Sequence, residues 1–255
     1  MFMITKKQLL NNSFLEIPIA HRGLHDNDIP ENSMQAFENA INNGFAIEID
    51  IYKLTDGYFA VFHDPNLKRM TGADVAILNQ SFEELKNYKL KNGQNIPLLQ
   101  DVLSLVDGKV PLLIELKPED GFDKKDLPAL FDILDKYNHP DKIAIQSFNP
   151  FIIRSVKKLR PDIPAGILAS YELKHIKGLK NYVAKSLLLF NFVKADFVAY
   201  DIKFLPNKYV AKKKKKGVPV LTWVVKTEEN LALAKTVADN IIFENKEILN
   251  NDKNN

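Results

Sequence analysis

From Val110 to Phe243 the chain alternates short apolar runs with longer amphipathic stretches, and few folds accept that rhythm. The runs are Val110–Lys117, Lys142–Gln146, Ile163–Leu168, Ala195–Tyr200, Val218–Thr222 and Asn240–Phe243. Each has the length of a strand, and a strand buried on both faces is apolar along nearly its whole length. Helical patterns lie between them at Asp126–Tyr137, Pro150–Leu159, part of Tyr171–Leu189, Asn207–Lys216 and Glu228–Ala238, and Lys246–Leu249 reads as a closing turn of helix. Pro150 is placed where a helix start tolerates proline. Upstream, Ile17–Ala20 is a short strand. Glu31–Asn43 is a helix with Met34, Phe37, Ala40 and Ile41 on one face, and Gly44 is its stop. Leu98–Val106 is also helical. With the strand at residues 47–51, this makes eight strand positions, mostly separated by helices, in 255 residues. That is the size and order of a TIM (β/α)8 barrel. A doubly wound open sheet is the alternative, but no glycine-rich phosphate loop of either nucleotide-binding type is present.

The second strand carries the most telling pattern. Ile47, Ile49 and Ile51 alternate with Glu48, Asp50 and Tyr52. Strand side chains repeat every two residues, so the two carboxylates share one face. Acids held that close share a cation or a proton, unless the strand is an edge with a wet outer face. Asp56-Gly57 is a turn signal, and Tyr58–Phe62 returns from it to end in His63-Asp64. Residues 65–97 are irregular, with too few apolar residues for a core of their own, and read as a small insertion after this hairpin. The expected organisation is one domain, residues 1–255, with 65–97 inserted in it.

Composition excludes more than it selects. There is no cysteine, so disulfides, thiolate zinc sites and a cysteine nucleophile are excluded. A net charge of +3 says little about partners. No apolar stretch approaches about 18 residues, so no membrane span is expected, and the polar lead-in 1–16 lacks a signal-peptide core. A cytoplasmic protein is the expectation. Lys212–Lys216 invites a nucleic-acid or membrane reading, but five lysines at the end of a predicted helix suit a solvated C-terminus favoured by the helix dipole. No nucleic-acid partner is expected, and oligomeric state is open. His25, His139 and His175 lie in polar surroundings and read as surface residues.

In a (β/α)8 barrel, chemistry sits at the C-terminal ends of the strands. Those ends carry His21, Arg22, Glu48, Asp50, His63, Glu115, Lys117, Gln146, Ser147, Asp201, Lys203 and Trp223. Three carboxylates suit a hard cation, Mg2+ or Ca2+. Two histidines can exchange protons near neutral pH. Arg22 and Lys117 supply donors for an anion, and the arginine fork matches phosphate. Together these describe phosphoester cleavage. Taken singly, each has a plainer reading: a structural histidine, a snorkelling lysine before the loop Pro118–Gly121, a tryptophan packing the rim.

In order, His21-Arg22-Gly23, Pro30-Glu31-Asn32-Ser33, Glu48-Ile49-Asp50, His63-Asp64, Ile96-Pro97-Leu98-Leu99, Glu115-Leu116-Lys117, Gln146-Ser147-Phe148 and Thr222-Trp223 resemble the motifs of the glycerophosphodiester phosphodiesterase family. The resemblance runs from residue 21 to 223, and the family's short insertion after its His-Asp pair fits 65–97. It implies a TIM barrel that hydrolyses glycerophosphodiesters to sn-glycerol 3-phosphate and an alcohol. By position it implies Glu48, Asp50 and Glu115 as ligands of one divalent cation, His21 and His63 as acid and base in either order, and Arg22 and Lys117 on the phosphate. Glu31 and Asn32 match a motif near the site. Ser33 stands where the family usually has threonine. Ile242-Phe243-Glu244-Asn245 replaces a common Thr-Asp-x-Pro motif, which bears on the rim after the last strand.

Two other readings stand beside this one. One is another barrel phosphodiesterase, resembling bacterial phosphatidylinositol-specific phospholipases or sphingomyelinase D enzymes. The other is a phosphate-ligand-binding protein without catalysis. The alcohol moiety is open. A choline group needs aromatic walls, for which Phe148, Trp223 and Phe204 are candidates.

Overall fold

A computed structural model describes residues 12–117, 122–171 and 185–251. Its strands are β1 (Ile19–Ala20), β2 (Ala46–Lys53), β3 (Phe59–Val61), β4 (Leu112–Leu116), β5 (Ile143–Ser147), β6 (Ala165–Ala169), β7 (Phe197–Asp201), β8 (Val220–Val225) and β9 (Asn240–Phe243). They form one sheet in the order β1-β9-β8-β7-β6-β5-β4-β2-β3, and β1 also pairs with β2. Eight parallel strands thus close into a TIM barrel. β3 is an antiparallel appendage to β2, with Ile51 opposite Val61 and Lys53 opposite Phe59. No helix among the described residues is long and apolar enough to cross a membrane.

The chain divides into two compact units, Ala20–Ile143 and Met1–Ile19 with Ala144–Asn255. In the first, β2 is buried on both faces, and Ile47, Ile49 and Ile51 have no exposed surface. Each isoleucine contributes about 1.5–3 kcal/mol of apolar burial, which holds the strand in place despite the carboxylates between them. Glu48 and Asp50 are as deeply buried as the isoleucines, so the wet-edge reading of this strand does not hold. β4 runs parallel to β2 in a register that sets Asp50 beside Glu115. The insertion covers the hairpin. Its Leu67, Met70, Ile77, Leu85, Leu90 and Ile96 pack into one cluster with Tyr52, Leu54, Ala60 and Phe62.

The second unit carries β6–β9, paired in parallel, with helices Pro150–Leu159, Lys208–Lys214 and Glu228–Val237. Asn149, Asn207 and Thr227 cap these helices through side-chain oxygens on backbone N–H groups. Gly166 in β6 is a close approach: a Cβ there would lie 2.2 Å from the Phe197 ring.

Element boundaries differ from the sequence reading where local hydrogen bonds intervene. The helix expected from Glu31 starts at Met34, because the Ser33 hydroxyl accepts from Ala36 N at 3.1 Å and caps it there. The helix expected to reach Lys216 stops at Lys214, and Gly217 leaves in a left-handed conformation at φ 71°. Within the polar lead-in, Asn12–Glu16 is a short helix with Phe14 fully buried; Asn240 Nδ2 donates to the carbonyls of Phe14 and Ile17. The closing helix spans Glu247–Asn251. The expected helix within Tyr171–Leu189 lies mostly outside the described residues, as do residues 1–11, the loop Pro118–Gly121 and His175. His25 is half-buried. His139 lies at the surface as expected, its side chain 40% exposed beside Asp107, and packs edge-on to Tyr137 with centroids 5.4 Å apart.

Candidate active site

The turn after β1 is shaped by its backbone. Arg22, Gly23 and Asn32 all take left-handed conformations, at φ 58°, 80° and 50°. Asn32 tolerates this better than most residues and glycine without cost. Gly23 is also sterically required, since a Cβ there would meet Ala36 and the Phe37 ring at 2.9 Å. Asn32 N donates to Arg22 O at 2.9 Å and Leu24 N to Ala36 O at 2.9 Å, which ties the His21-Arg22-Gly23 turn to the Pro30–Ser33 turn. Arg22 N in turn donates to Glu48 Oε2 at 3.1 Å. The strained arginine backbone therefore serves a buried carboxylate.

Glu48, Asp50 and Glu115 each offer a carboxylate oxygen within 4.8 Å of the others, and all three are buried. Lys117 Nζ sits between two of them, 2.9 Å from Asp50 Oδ1 and 2.8 Å from Glu115 Oε1. Arg22 Nε lies 3.3 Å from Asp50 Oδ2, and Asn32 Nδ2 donates to the same oxygen at 3.0 Å. The three acids diverge electrically. Burial, then the charges of Asp50 and Glu115, push the Glu48 carboxyl well above its ordinary range, with Arg22 and Lys117 offsetting part of this. Burial also raises Glu115; Lys117 counteracts it and the Asp50 charge adds to it. Burial would raise Asp50 too, but Lys117, Arg22, His63 and His21 together outweigh it and hold Asp50 far below the usual carboxylate range. Lys117 is lowered by burial and raised more strongly by Asp50 and Glu115, so it stays protonated. Both sequence-predicted histidines thus lie close enough to Asp50 to act on its charge.

His63 is held from two sides. Its Nδ1 lies 2.7 Å from Asp64 Oδ1, and its carbonyl accepts from the Tyr52 hydroxyl at 2.9 Å. Arg69, which the motif reading passed over, links this corner to the first turn. Its Nε donates to Asp64 Oδ2 at 2.5 Å, and Nη1 and Nη2 donate to Glu31 at 2.9 and 2.7 Å. Glu31 Oε1 also accepts from Arg22 Nη1 at 2.7 Å. An unbroken chain of charged contacts therefore runs His63–Asp64–Arg69–Glu31–Arg22–Asp50. Burial would raise Glu31, but Arg69 and Arg22 bring it down to about 2. Asp64 is lowered likewise by its bonds to His63 and Arg69 against the effect of burial. The sequence held one hint of Arg69: a cation five residues beyond an acid in a short turn. Nothing in the spacing shows that one guanidinium forks onto two carboxylates from different turns.

In the second unit, Gln146 and Ser147 end β5 and are buried, with Ser147 Oγ accepting from Asn149 N at 3.2 Å. Phe148 and Trp223 meet edge to face with centroids 5.7 Å apart. The Trp223 indole N–H is buried with no hydrogen-bond partner among the described residues. Tyr171 stacks on Phe204 at 5.3 Å. Asp201 is engaged: it accepts from the Ser170 hydroxyl at 2.9 Å and from Lys203 N at 3.0 Å. Sequence reading singled out Phe148, Phe204 and Trp223 but missed Tyr171 and Ser170, which carry no motif.

A parallel barrel with buried acids, two imidazoles and paired cations at its strand ends defines a class, the barrel hydrolases that act on phosphoesters. The particular family follows from comparison with known proteins. Residues 21–246 match the glycerophosphoryl diester phosphodiesterase family, and the chain belongs to it. Its members hydrolyse glycerophosphodiesters. The chain is 30% identical over 248 residues to a glycerophosphodiester phosphodiesterase of Caldanaerobacter subterraneus subsp. tengcongensis, an alignment covering 91% of this chain and 96% of that one. Its fold matches an Oleispira antarctica phosphodiesterase solved in complex with the product sn-glycerol-3-phosphate, with a TM-score of 0.80, 24% identity, and 95% and 98% of the two chains covered. It also matches a Thermotoga maritima glycerophosphodiester phosphodiesterase, with a TM-score of 0.73, 22% identity, and 94% and 99% covered.

Proposed function

We propose that this chain hydrolyses glycerophosphodiesters to sn-glycerol 3-phosphate and an alcohol, with one divalent cation, Mg2+ or Ca2+, held by Glu48, Asp50 and Glu115. The observation that carries the proposal is the buried acid cluster with both histidines acting on it. A charge count tests the fit. Three carboxylates face two cations, Lys117 and Arg22, which leaves one negative charge in excess among buried groups, where screening is weak. A divalent cation turns that excess into one positive charge, which matches the single negative charge of a phosphodiester. The donor set is all oxygen, as a hard cation requires.

When bound, the cation supplies a Lewis acid and a positive field for the phosphoryl oxygens. Arg22 and Lys117 are the residues assigned to those oxygens. Both stay charged, and their carboxylate partners fix their direction before substrate arrives. His21 and His63 exchange the two protons of the reaction: one leaves the attacking hydroxyl, water or the glycerol 2-hydroxyl, and one reaches the departing alkoxide. With Nδ1 engaged by Asp64, His63 is left with Nε2 for proton transfer. Phe148 and Trp223 are assigned to the alcohol moiety, where a buried unpaired indole N–H favours a ligand that brings an acceptor. A single domain over residues 1–255, with 65–97 as an insertion, and a cytoplasmic location complete the proposal. Cell fractionation tests the location.

The deciding experiment is release of glycerol 3-phosphate from glycerophosphocholine and glycerophosphoethanolamine, before and after chelation, with Mg2+ or Ca2+ added back. Activity lost to chelator and restored by one cation supports the acid cluster as its seat. Glu48→Gln, which keeps shape and removes charge, is expected to abolish that restoration. Activity untouched by chelation overturns the metal assignment.

A further inference from the structure

Two features take no part in this chemistry: the lysine run 212–216 and a group of exposed apolar side chains. Residues 185–217 hold nine lysines and two acids, Asp196 and Asp201. Neither acid offsets the surface charge. Asp196 is buried against Lys157 Nζ at 2.8 Å and Ala165 N at 2.9 Å, and Asp201 is buried on Ser170 and Lys203. Helix Pro150–Leu159 adds Arg154, Lys157 and Lys158 and contains no acid. Two acids reach this area from elsewhere among the described residues: Asp239 lies 3.6 Å from Lys214, and Asp162, paired with Arg160 at 2.7 Å, feels the charge of Lys157.

Amid these cations, Phe151 is 60% exposed, Leu188 58% and Phe192 52%. Phe192 meets the helix that carries Phe151, and Leu188 lies four residues before Phe192 in the same segment. The Arg154 guanidinium lies over the Phe192 ring, 4.0 Å from its centroid, and donates to the Phe192 carbonyl at 2.6 Å. Phe151 lies one helical turn before Arg154. On the other side Lys213 sits over Phe190, 4.3 Å from its centroid. Phe190 is fully buried, and Leu187 and Lys194, at φ 56° and 59°, bracket the segment. Phe192 is therefore presented from an anchored segment between two cationic helices.

Single exposed apolar residues need no explanation, and lysines suit a helix C-terminus. Their combination is different. An ordinary surface mixes both signs of charge, whereas here aromatic and leucine side chains are rimmed by cations with no exposed acid in the segment. Lysine and arginine stems can lie along apolar surface while their heads reach anions, which is the pattern of proteins that rest on anionic bilayers. A nucleic acid would engage the lysines and stack bases on Phe192, but it leaves the exposed Leu188 without a role.

We propose that this face, formed by Pro150–Leu159, residues 185–194 and residues 208–216, docks on an anionic phospholipid surface. Phe151, Leu188 and Phe192 enter the interface, and Arg154, Lys194 and Lys212 meet the head groups. The proposal is independent of the catalytic reading, and its test needs no turnover. The full chain is sedimented with phosphatidylcholine vesicles, with and without phosphatidylglycerol. Binding is expected only with the anionic lipid and should fall as salt rises. Phe151→Ser with Leu188→Ser and Phe192→Ser, and separately Lys212→Gln with Lys215→Gln and Lys216→Gln, should each lower the vesicle partition coefficient about tenfold or more. All six side chains are exposed, so the thermal unfolding midpoint should stay unchanged, and it serves as the folding control. No binding to the anionic vesicles overturns the proposal. Binding that ignores the serine variant does so too. So does a chain that binds an oligonucleotide through the lysines and ignores vesicles.

Discussion

The strand ends of the two compact units carry opposite chemistry. In Ala20–Ile143 they present His21, Arg22, Glu48, Asp50, His63, Glu115 and Lys117, joined through Asp64, Arg69 and Glu31 into one network of charge. In Ala144–Asn255 they present Phe148, Tyr171, Phe204 and Trp223 in two ring pairs, with Asp201 committed to a serine. Among the described residues, the clustered carboxylates and the two histidines proposed for bond chemistry lie in the first unit. The second unit supplies the ring pairs proposed for the alcohol moiety. On the proposed roles, variants of the first set should lose turnover and variants of the ring pairs should change selection of the alcohol.

The largest effect is expected from the histidines. His63→Ala and His21→Ala should each lower kcat by about 10²–10⁴, the usual worth of a positioned proton carrier. The cation should still bind, as followed by calorimetry. A His63→Ala protein with parental kcat would end the catalytic assignment. Next comes Arg69, whose loss breaks the link between Asp64 and Glu31. Arg69→Ala should lower kcat about 10–100-fold, the range for residues that orient a functional group from behind, with KM less affected. Arg69→Lys should recover only part of this, since an ammonium cannot fork onto two carboxylates. Equal activity of all three proteins would reduce the network to surface decoration.

The comparison is sharpened by the aromatic residues. Trp223→Ala and Phe148→Ala should raise KM about tenfold or change the preference between choline and ethanolamine diesters, with kcat held within about threefold. A kcat loss as deep as that of the histidine variants would show that the two parts do not divide the work as described. The smallest effect concerns stability. Glu31 titrates near 2 in the fold against an ordinary value of 4.5. Its ion pairs are therefore fully present above pH 4.5 and are lost as pH falls toward 2. Glu31→Gln should cost about 1–3 kcal/mol at neutral pH, the worth of hydrogen bonds to a charged group. The gap between the two proteins in denaturant unfolding should narrow below pH 4.5. A gap independent of pH would mean that Glu31 acts by shape rather than by charge.

Much of this was legible in the sequence because its signals are local. A two-residue period placed Glu48 and Asp50 on one face, and the βα rhythm placed eight strands. Ordered short motifs marked both histidines, the acids and the cations. The helix starting at Met34 rather than Glu31 was not legible, because whether a serine or a glutamate begins a helix depends on which turn its neighbours enter. Arg69 was not legible either. Its importance comes from two carboxylates, 5 and 38 residues away, that meet only in the fold. The lysine run does end a helix, as its position before Gly217 predicted, with Lys212, Lys215 and Lys216 exposed.

By itself the sequence determined the barrel, the identity of the groups that can carry charge and protons, and the face on which each must stand, since backbone periodicity fixes these within a few residues. Tertiary structure alone decided which of those groups share a low-dielectric space. It set Glu48 apart from Asp50, two residues away, with one carboxyl pushed well above its ordinary range and the other held far below it. Burial and the positions of Lys117 and Arg22 make that difference, and both arise only when distant strands and turns close around the pair.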